Sequence, residues 1–295
     1  MLGNAAARPI ARQREPVSRL PNVLGIPAAI LFTMRQLTKN HLAKSWSDAR
    51  LRRTYDTSPA HLLVVAPTLR ELGGLRPSRL AGFGIAEVGL GHAAAETLCE
   101  VLRSRPPLIM LSVGFGGALT PELKTGDIVI STRASSIQLS SHFAEMSATH
   151  GDEAFEALTL AGMRVTRGAA LTVEVPLLTK EDKERQGQLT GASVVDMETY
   201  WIAQEAERAG VPVVSVRTVL DEMEHELPSM VADITADGGK REVYHALRAM
   251  RNPANVGQLV PLAVRARRAA SATKKAIQVL LPLLTRDAPV RAVHR

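Results

Sequence analysis

Short apolar segments separated by helical patterns are the feature that most constrains the fold of this chain. Residues 61–67, HLLVVAP, and 107–119, PLIMLSVGFGGAL, are almost continuously apolar, which is typical of strands buried on both faces. Between them, residues 92–105, HAAAETLCEVLRSR, have the pattern of a helix. Further strands are predicted at 126–132 and 211–219. Strands that alternate with helices in this way indicate an α/β domain with a largely parallel or mixed sheet.

The charge of the chain is divided unevenly along its length. Residues 1–57 have a net formal charge of +7 and residues 251–295 one of +8, whereas residues 58–250 have one of −8. A nucleic-acid channel needs clustered Lys and Arg, so the acidic middle argues against nucleic acid as a partner. We therefore predict a basic, poorly ordered extension over 1–57, the α/β domain over 58–250, and a basic amphipathic helical region over 251–295.

The two basic ends have two interpretations. Residues 256–284 have helical periodicity, and one face of that helix would contain Ile277, Leu280, Leu281 and Leu284. Pro261 and Pro282 are expected to limit this helix or to kink it. Basic amphipathic segments can contact an anionic membrane surface. Alternatively, the apolar face packs on the domain and residues 1–57 are a solvated extension.

The cysteine content bears on compartment and metal binding. A single cysteine, Cys99, cannot form a disulfide within the chain, and no group of Cys and His has the spacing of a metal site. One free thiol suits a reducing compartment. We therefore expect a cytoplasmic protein without a metal, and the basic ends leave open a contact with the inner membrane surface.

Two glycine-rich motifs follow predicted strands. GLGHAA, residues 89–94, partly matches a dinucleotide-binding fingerprint, but the next strand, LIMLSV, lacks the terminal acid that holds the ribose. We therefore interpret it as a tight turn between a strand and a helix. SVGFGGAL, residues 112–119, is predicted to be a turn in which Gly114, Phe115 and Gly116 let the backbone approach a ligand and hold an oxyanion.

Carboxylates follow two apolar strands. Asp196 and Glu198 come after the strand at 192–195 in VVDMETYW, and Asp221 ends the strand at 211–219 in VLDE. Asp196 also has the position of a helix cap. Ligands of open α/β sheets collect at the carboxyl ends of strands, so we predict that these acids bind a small polyhydroxy ligand.

Three blocks together carry a family resemblance: SVGFGGALTPELKTGDIVI, VVDMET and VRTVLD. In this order and spacing, over about residues 61–235, the chain resembles the purine nucleoside phosphorylase and methylthioadenosine–adenosylhomocysteine nucleosidase superfamily. The resemblance implies a single three-layer α/β domain with a mixed central sheet, assembled as a homodimer or a larger homo-oligomer. It also implies an enzyme that cleaves the N-glycosidic bond of a nucleoside, with water or phosphate and without a metal or another cofactor.

The resemblance also implies roles for individual residues. Asp221 corresponds to the acid that protonates N7 of the leaving purine, and burial among apolar neighbours would favour its protonated form. Glu198 corresponds to the acid that accepts hydrogen bonds from the ribose 2′- and 3′-hydroxyls, and Met197 to the residue under the ribose. Glu71, in VVAPTLREL, corresponds to the acid that orients the attacking water in the nucleosidases. Without the resemblance, Glu71 would be interpreted as a solvated helix residue.

Departures from the family pattern leave the acceptor open. Bacterial phosphorylases have an Arg and a Ser, both phosphate ligands, where this chain has Ser112 and Phe115. Their absence, together with Glu71, favours water, although Arg70 and the glycine backbone leave phosphate as an alternative co-substrate. Leu220 replaces a hydroxyl residue that often precedes the catalytic acid. A nucleoside-binding module without turnover is therefore a further alternative, for which Phe115 and Leu220 are the best support.

A narrower resemblance concerns the substrate. VVDMETYWIAQEA, VRTVLDE and RNPANVGQLVPLAVRARRAASA resemble the hopanoid-associated phosphorylase branch. Members of that branch are assigned to the removal of adenine from adenosylhopane, a lipid nucleoside. We therefore expect an adenine nucleoside with a modified 5′ side as the substrate, and adenosylhopane is one candidate.

Overall fold

The computed structural model covers the α/β domain and the helix that follows it. It describes residues 61–73, 75, 83–104, 106–139, 142–229, 231–232 and 253–286. For residues 253–259 only the backbone is described. The extension predicted over 1–57 lies outside the described residues.

In the described part of the chain, eight strands form one mixed sheet. They are β1 (Leu62–Ala66), β2 (Gly84–Glu87), β3 (Ile109–Ala118), β4 (Ile128–Ser136), β5 (Phe143–Glu145), β6 (Val165–Thr172), β7 (Ala192–Asp196) and β8 (Val213–Asp221). β1 lies between β2 and β3 and is parallel to both. β3, β8, β4, β6 and β7 pair in a closed ring of parallel and antiparallel contacts. The prediction of a mixed central sheet is confirmed.

Alternation along the strands divides the apolar core between the two faces of the sheet. In β1, Leu63 and Val65 belong to one cluster of buried residues, whereas Leu62, Val64 and Ala66 belong to another. Successive side chains of a strand point to opposite faces, so a strand with apolar residues at every position is covered on both sides. This explains why the strand segments of the sequence are almost continuously apolar.

Helices cover both faces of the sheet. α1 (Ala93–Ser104) and α4 (Thr199–Arg208) pack into the first cluster, to which they contribute Leu98 and Ile202. α2 (Ala148–Leu160) and α5 (Pro253–Leu284) pack into the second cluster, to which they contribute Leu158 and Ile277. The architecture is therefore the predicted three layers of helix, sheet and helix.

α3 (Lys180–Thr190) is a polar helix whose ends are fixed by local contacts. Thr179 Oγ1 accepts a hydrogen bond from the backbone N–H of Asp182 at 3.1 Å. Gly191 ends the helix with a φ of 64°, a left-handed conformation that favours glycine. Lys183 is the buried residue of this helix. Because the local sequence is otherwise that of a solvated helix, this burial is a tertiary effect.

α5 confirms the helix predicted at 256–284, but its prolines do not end it. The helix extends from Pro253 to Leu284 through both Pro261 and Pro282. The predicted apolar face packs on the domain, since Ile277 and Leu280 are fully buried. Earlier in the helix, Val260 and Val264 are exposed. Within the described ranges, no helix has the length and hydropathy that crossing a membrane would require.

The turn predicted at 112–119 is wrong. β3 continues through Gly114, Phe115, Gly116 and Gly117 as far as Ala118, and none of the three glycines has a positive φ. The stretch remains extended because it pairs with β8 on one side and β7 on the other. The glycines therefore do not make a turn, and their function must be sought in what approaches the strand.

Candidate active site

Four charged side chains meet beside β3 although they come from distant parts of the sequence. Glu71 lies in a short 3-10 turn that follows β1. Asp196 ends β7, Glu198 is the N-cap of α4, and Arg217 lies within β8. Their exposures range from 0% for Arg217 to 9% for Glu71, so all four are buried. The three predicted acids are thus brought together with a cation that the sequence analysis did not select.

Glu71 is held against the backbone of β3. Its Oε2 accepts a hydrogen bond from the backbone N–H of Phe115 at 2.9 Å, and its Oε1 accepts one from Thr68 Oγ1 at 3.1 Å. Burial raises the pKa of Glu71 to about 7, although the Phe115 hydrogen bond and the charge of Arg217 act in the opposite direction. A carboxyl that is partly ionised at neutral pH is suited to accept a proton from water. Glu71 is therefore not the solvated helix residue of the alternative interpretation.

Glu198 receives a hydrogen bond from the second glycine of the GLGHAA motif. Gly89 and Gly91 have φ values of 85° and 64°, which confirms a tight turn between β2 and α1. The N–H of Gly91 donates to Glu198 Oε1 at 2.9 Å. Burial raises the pKa of Glu198 well above its usual value, and the negative charges of Asp196 and Glu71 raise it further. The motif thus contributes a backbone donor to the site.

Asp196 and Arg217 form a buried ion pair behind this site. Arg217 Nε donates to Asp196 Oδ2 at 2.5 Å, and Thr172 Oγ1 donates to Asp196 Oδ1 at 2.9 Å. Asp196 also accepts a hydrogen bond from the backbone N–H of Thr199 at 3.2 Å, although the N-cap of α4 is Glu198 and not Asp196. Both terminal nitrogens of Arg217 donate to Ser112 Oγ at 3.2 Å. The guanidinium is therefore already engaged by protein groups on β7 and β3.

The glycines of β3 make room for two carboxyl groups. A Cβ placed on Gly114 would lie 3.0 Å from Glu71 Oε2, and one on Gly117 would lie 3.0 Å from Asp221 Oδ2. On Gly116 it would lie 2.6 Å from the Val194 side chain of β7. A glycine within a strand permits such a close approach. β3 therefore brings Glu71 and Asp221 to nearby positions along one strand.

Asp221 ends β8 as predicted, but its surroundings are not purely apolar. The residue is buried, and Lys183 Nζ donates to its Oδ2 at 2.5 Å. Lys183 is itself fully buried. The sequence predicted an acid among apolar neighbours. The structure instead shows one paired with a buried cation, because α3 directs its one buried side chain to the end of β8.

Two further predicted residues occupy the edge of this group. Met197 lies in the bend between β7 and α4, and Phe115 lies in β3, and both are half-buried.

Two functional residues, Arg217 and Lys183, were not predicted from the sequence. An arginine inside the apolar run 213–219 was a usable signal for a buried charge, since such a charge needs a partner. Nothing in KEDKERQGQLT distinguishes Lys183 from its exposed neighbours.

The chemistry of this arrangement is that of acids and bases. Among the described residues, no group of three or more His, Cys, Asp and Glu side chains is arranged to hold a metal ion. The site offers a carboxyl poised near neutral pH, a second acid at a strand end, and a third that accepts hydrogen bonds. Such a set can move protons and bind hydroxyl groups.

Comparisons with known proteins agree with this fold. A model of the phosphorylase superfamily matches residues 82–249. No curated protein matches the chain. The 5′-methylthioadenosine/S-adenosylhomocysteine nucleosidase of Campylobacter jejuni has a TM-score of 0.52 at 15% identity, over 64% of this chain and 97% of its own. The futalosine hydrolase of Helicobacter pylori has a TM-score of 0.55 at 15% identity, over 75% of this chain and 97% of its own. A mutant nucleosidase of Helicobacter pylori with 5′-methylthioadenosine in its active site has a TM-score of 0.53 at 16% identity, over 75% and 99%.

Proposed function

The chain belongs to the phosphorylase superfamily and is an enzyme that cleaves N-glycosyl bonds, and from this premise we propose that it removes adenine from a nucleoside with a modified 5′ side, with water as the acceptor. The observation that carries the proposal is that the carboxyl groups of Glu71 and Asp221 both lie against glycines of β3. Glu71 lies against Gly114, and Asp221 lies against Gly117. A reaction that takes a proton from water and gives one to the leaving base needs two such groups.

In the proposed reaction, Asp221 donates a proton to N7 of adenine while the bond between C1′ and N9 breaks. The electron pair of that bond goes to the base, which leaves as neutral adenine. The water oxygen forms a bond to C1′, and Glu71 accepts the proton that the water loses. A pKa of about 7 lets Glu71 accept this proton near neutral pH.

Glu198 and Met197 are assigned to the ribose. As C1′ becomes oxocarbenium-like, the 2′- and 3′-hydroxyls become better donors, so hydrogen bonds to Glu198 strengthen in the transition state. Among the described residues, only the N–H of Gly91 donates a hydrogen bond to Glu198, and the acceptor is Oε1. Within the same residues the other oxygen accepts no hydrogen bond, and we assign it to a ligand hydroxyl. Met197, half-buried beside it, would lie under the sugar.

The hydrogen bonds that Arg217 makes within the protein support water, rather than phosphate, as the acceptor. A phosphate acceptor would need a cation near the sugar. Arg217 is the buried cation next to Glu71, and its nitrogens donate to Asp196 and Ser112. A phosphate would have to compete with the buried Asp196 for this guanidinium and would lie beside the carboxyl of Glu71. Phosphorolysis is kept as the alternative.

Exposed apolar side chains near the ends of β4 and β6 support a modified 5′ side. Ile137, Phe143 and Val175 are large apolar side chains with exposures of 42% to 64%. They follow or adjoin the ends of β4 and β6, where Ile137 N donates to Thr172 O at 3.1 Å. Thr172 in turn binds Asp196. An apolar 5′ group, such as the lipid part of adenosylhopane, would find apolar contacts at this edge.

The proposal also covers the cofactor, the oligomeric state and the location of the enzyme. The proposed steps need only protein carboxyls and water, so they need no cofactor. A homodimer or a larger homo-oligomer is proposed on the family resemblance, and a cytoplasmic location on the single cysteine. Contact between the basic ends and an anionic membrane surface is proposed on their charge.

The test is product analysis. The purified protein is incubated with adenosine, 5′-methylthioadenosine and an adenine nucleoside with a 5′-alkyl group, with and without phosphate, and the products are separated by chromatography. We expect adenine and the free sugar even at high phosphate. Mainly ribose 1-phosphate would establish the phosphorylase alternative. No adenine from any substrate would favour the binding module, and Asp221→Asn serves as the control for a contaminating nucleosidase.

A further inference from the structure

Lys183 is a buried cation in a helix that is otherwise polar and solvated. Its side chain has 0% exposure, whereas the side chain of Lys180, one turn earlier, is 41% exposed. Burying an ammonium is unfavourable unless acceptors replace its water. Neither helix formation nor solubility explains why the side chain of Lys183 is buried.

The ammonium group has a full set of acceptors at one end of β8. Nζ donates to Asp221 Oδ2 at 2.5 Å, to Glu222 O at 3.1 Å and to His225 O at 2.7 Å. A lysine ammonium has three N–H donors, so all of them are used. Each acceptor belongs to the short segment 221–225. Lys183 thus holds the carboxyl group that ends β8 and the turn that follows it.

Only one oxygen of Asp221 is held in this way. Lys183 engages Oδ2, and within the described residues no hydrogen bond reaches Oδ1. Both oxygens lie over Gly117, at 3.0 Å and 3.4 Å from the position that a Cβ would occupy. The geometry therefore fixes the carboxyl through Oδ2 and leaves Oδ1 for a ligand.

The segment 221–227 is anchored without Lys183 as well. Lys124 Nζ lies 3.2 Å from Glu222 Oε2, and Lys180 Nζ lies 2.6 Å from Glu224 Oε2. The N–H of Leu227 donates to Leu178 O at 2.8 Å. These contacts tie the turn to its neighbours from several sides. What Lys183 adds to them is a positive charge in contact with Asp221.

We propose that Lys183 is a positioning residue for the proton donor Asp221, an inference that rests on the proposed function. Asp221 transfers its Oδ1 proton to N7 of the base, the bond between C1′ and N9 breaks with its electron pair on the base, and Asp221 is left as a carboxylate. Lys183 keeps its own protons. Its charge stabilises the carboxylate as it forms, and its hydrogen bond to Oδ2 keeps Oδ1 directed at the base. This cation replaces the hydroxyl support that Leu220 cannot supply.

The experiment compares two leaving groups in Lys183→Met, with Lys180→Met as the matched control on the exposed side of the same helix. Adenine nucleosides need a proton on the base, whereas a 4-nitrophenyl riboside leaves as a stabilised anion and needs none. We expect Lys183→Met to lower kcat for the adenine nucleoside at least about tenfold, with a smaller change in KM. Cleavage of the nitrophenyl riboside should change only a few-fold. Asp221→Asn should give the same pattern.

The outcomes separate this inference from the proposed function. An equal fall in kcat with both substrates would show a merely structural role for Lys183. An unchanged kcat with both substrates would show that Lys183 has no role in the reaction. Either result overturns the inference while the proposed function stands. A wild-type protein that releases adenine from no nucleoside overturns both. If Lys183→Met does not fold, Lys183→Gln, which keeps N–H donors but lacks the charge, is measured and judged in the same way.

Discussion

Arg217 donates from Nε to Asp196 Oδ2 at 2.5 Å, and this ion pair joins β8 to β7 behind the glycines of β3. The exposed fractions of the two side chains are 0% and 1%. One guanidinium thus stands among three buried acids, since Glu71 and Glu198 lie close enough to feel its charge. Burial raises the pKa of Glu71 and that of Glu198, and for Glu198 the negative charges of Asp196 and Glu71 raise it further.

Removing this cation should destabilise the fold. Arg217→Met leaves Asp196 buried without its ion-pair partner, so the free energy of unfolding should fall by about 3–5 kcal/mol. Urea denaturation measures the change. Arg164→Met is the matched control, because Arg164 is 70% exposed in its pair with Asp127 and such pairs contribute up to about 1 kcal/mol. Similar losses in both variants would contradict the assignment of Arg217 as the structural cation of the site.

Asp221→Asn should separate binding from turnover. The amide keeps the shape of the side chain but has no proton to give to the base, so kcat should fall about 100-fold or more. Nucleoside binding, measured by calorimetry with the variant, should largely survive. Turnover equal to that of the unsubstituted protein would exclude Asp221 as the proton donor.

Glu71 should set the acid limb of the pH profile. The base must be ionised to accept a proton from water, so kcat/KM should rise with pH and level off above about 7, where burial places the pKa of Glu71. Initial rates from pH 5 to 9 measure this. Glu71→Gln should be slow at every pH and should lose this limb. A limb that persists in Glu71→Gln would assign it to another group.

The same raised pKa makes a prediction about stability. The folded protein keeps the Glu71 proton up to a pH of about 7, whereas an unfolded glutamate loses it near its ordinary pKa of 4.5. The folded state therefore binds more protons in this window, so the free energy of unfolding falls as pH rises from 4.5 to 7. Glu71→Gln should remove a part of that fall on the order of 3 kcal/mol, as urea denaturation at the two pH values would show. An unchanged slope would contradict the burial of an ionisable Glu71.

Gly114→Ala should impair the site through contact with Glu71. The new methyl group would lie 3.0 Å from Glu71 Oε2 and 3.4 Å from an Arg217 nitrogen, so one of these groups must shift. We expect kcat/KM to fall at least about tenfold, with a loss of about 1–3 kcal/mol in stability. Gly151→Ala is the control, because Gly151 lies in α2, where alanine favours the helix, and a Cβ there would be 3.8 Å from its nearest neighbour, Ile130. Full activity in Gly114→Ala would show that Glu71 need not stay where the structure places it.

The basic ends should bind anionic vesicles in a salt-dependent manner if they serve as a membrane contact. The apolar face of α5 from Ala269 onward packs on the domain, but Val260 and Val264 are exposed next to Arg267 and Arg268. Sedimentation with phosphatidylserine vesicles at low salt should therefore pellet the full chain, with each cation near the surface contributing about 1 kcal/mol. Neutral vesicles are the control. No binding at low salt would leave these ends as solvated or packed segments.

The amino-acid sequence by itself determined most of the strands, the helices α1 and α5, and the positions of the acids. Apolar periodicity is a local property, and it reports which faces are buried whatever the partner is. Asp221 at the end of β8 and Glu198 at the start of α4 follow directly from it. The turn predicted for Gly114 to Gly117 failed because glycine permits many conformations, and only pairing with β7 and β8 decided that the backbone stays extended.

Tertiary structure decided which charges are buried and what they contact. Lys183 contacts Asp221 across 38 positions of sequence, and Arg217 contacts Ser112 across 105. Such pairs leave no local pattern, because a lysine in a polar helix looks the same whether its ammonium faces water or a carboxylate. The acids of this site could be named from the sequence, but their protonation and the cations that control it depend on which strands the sheet places side by side.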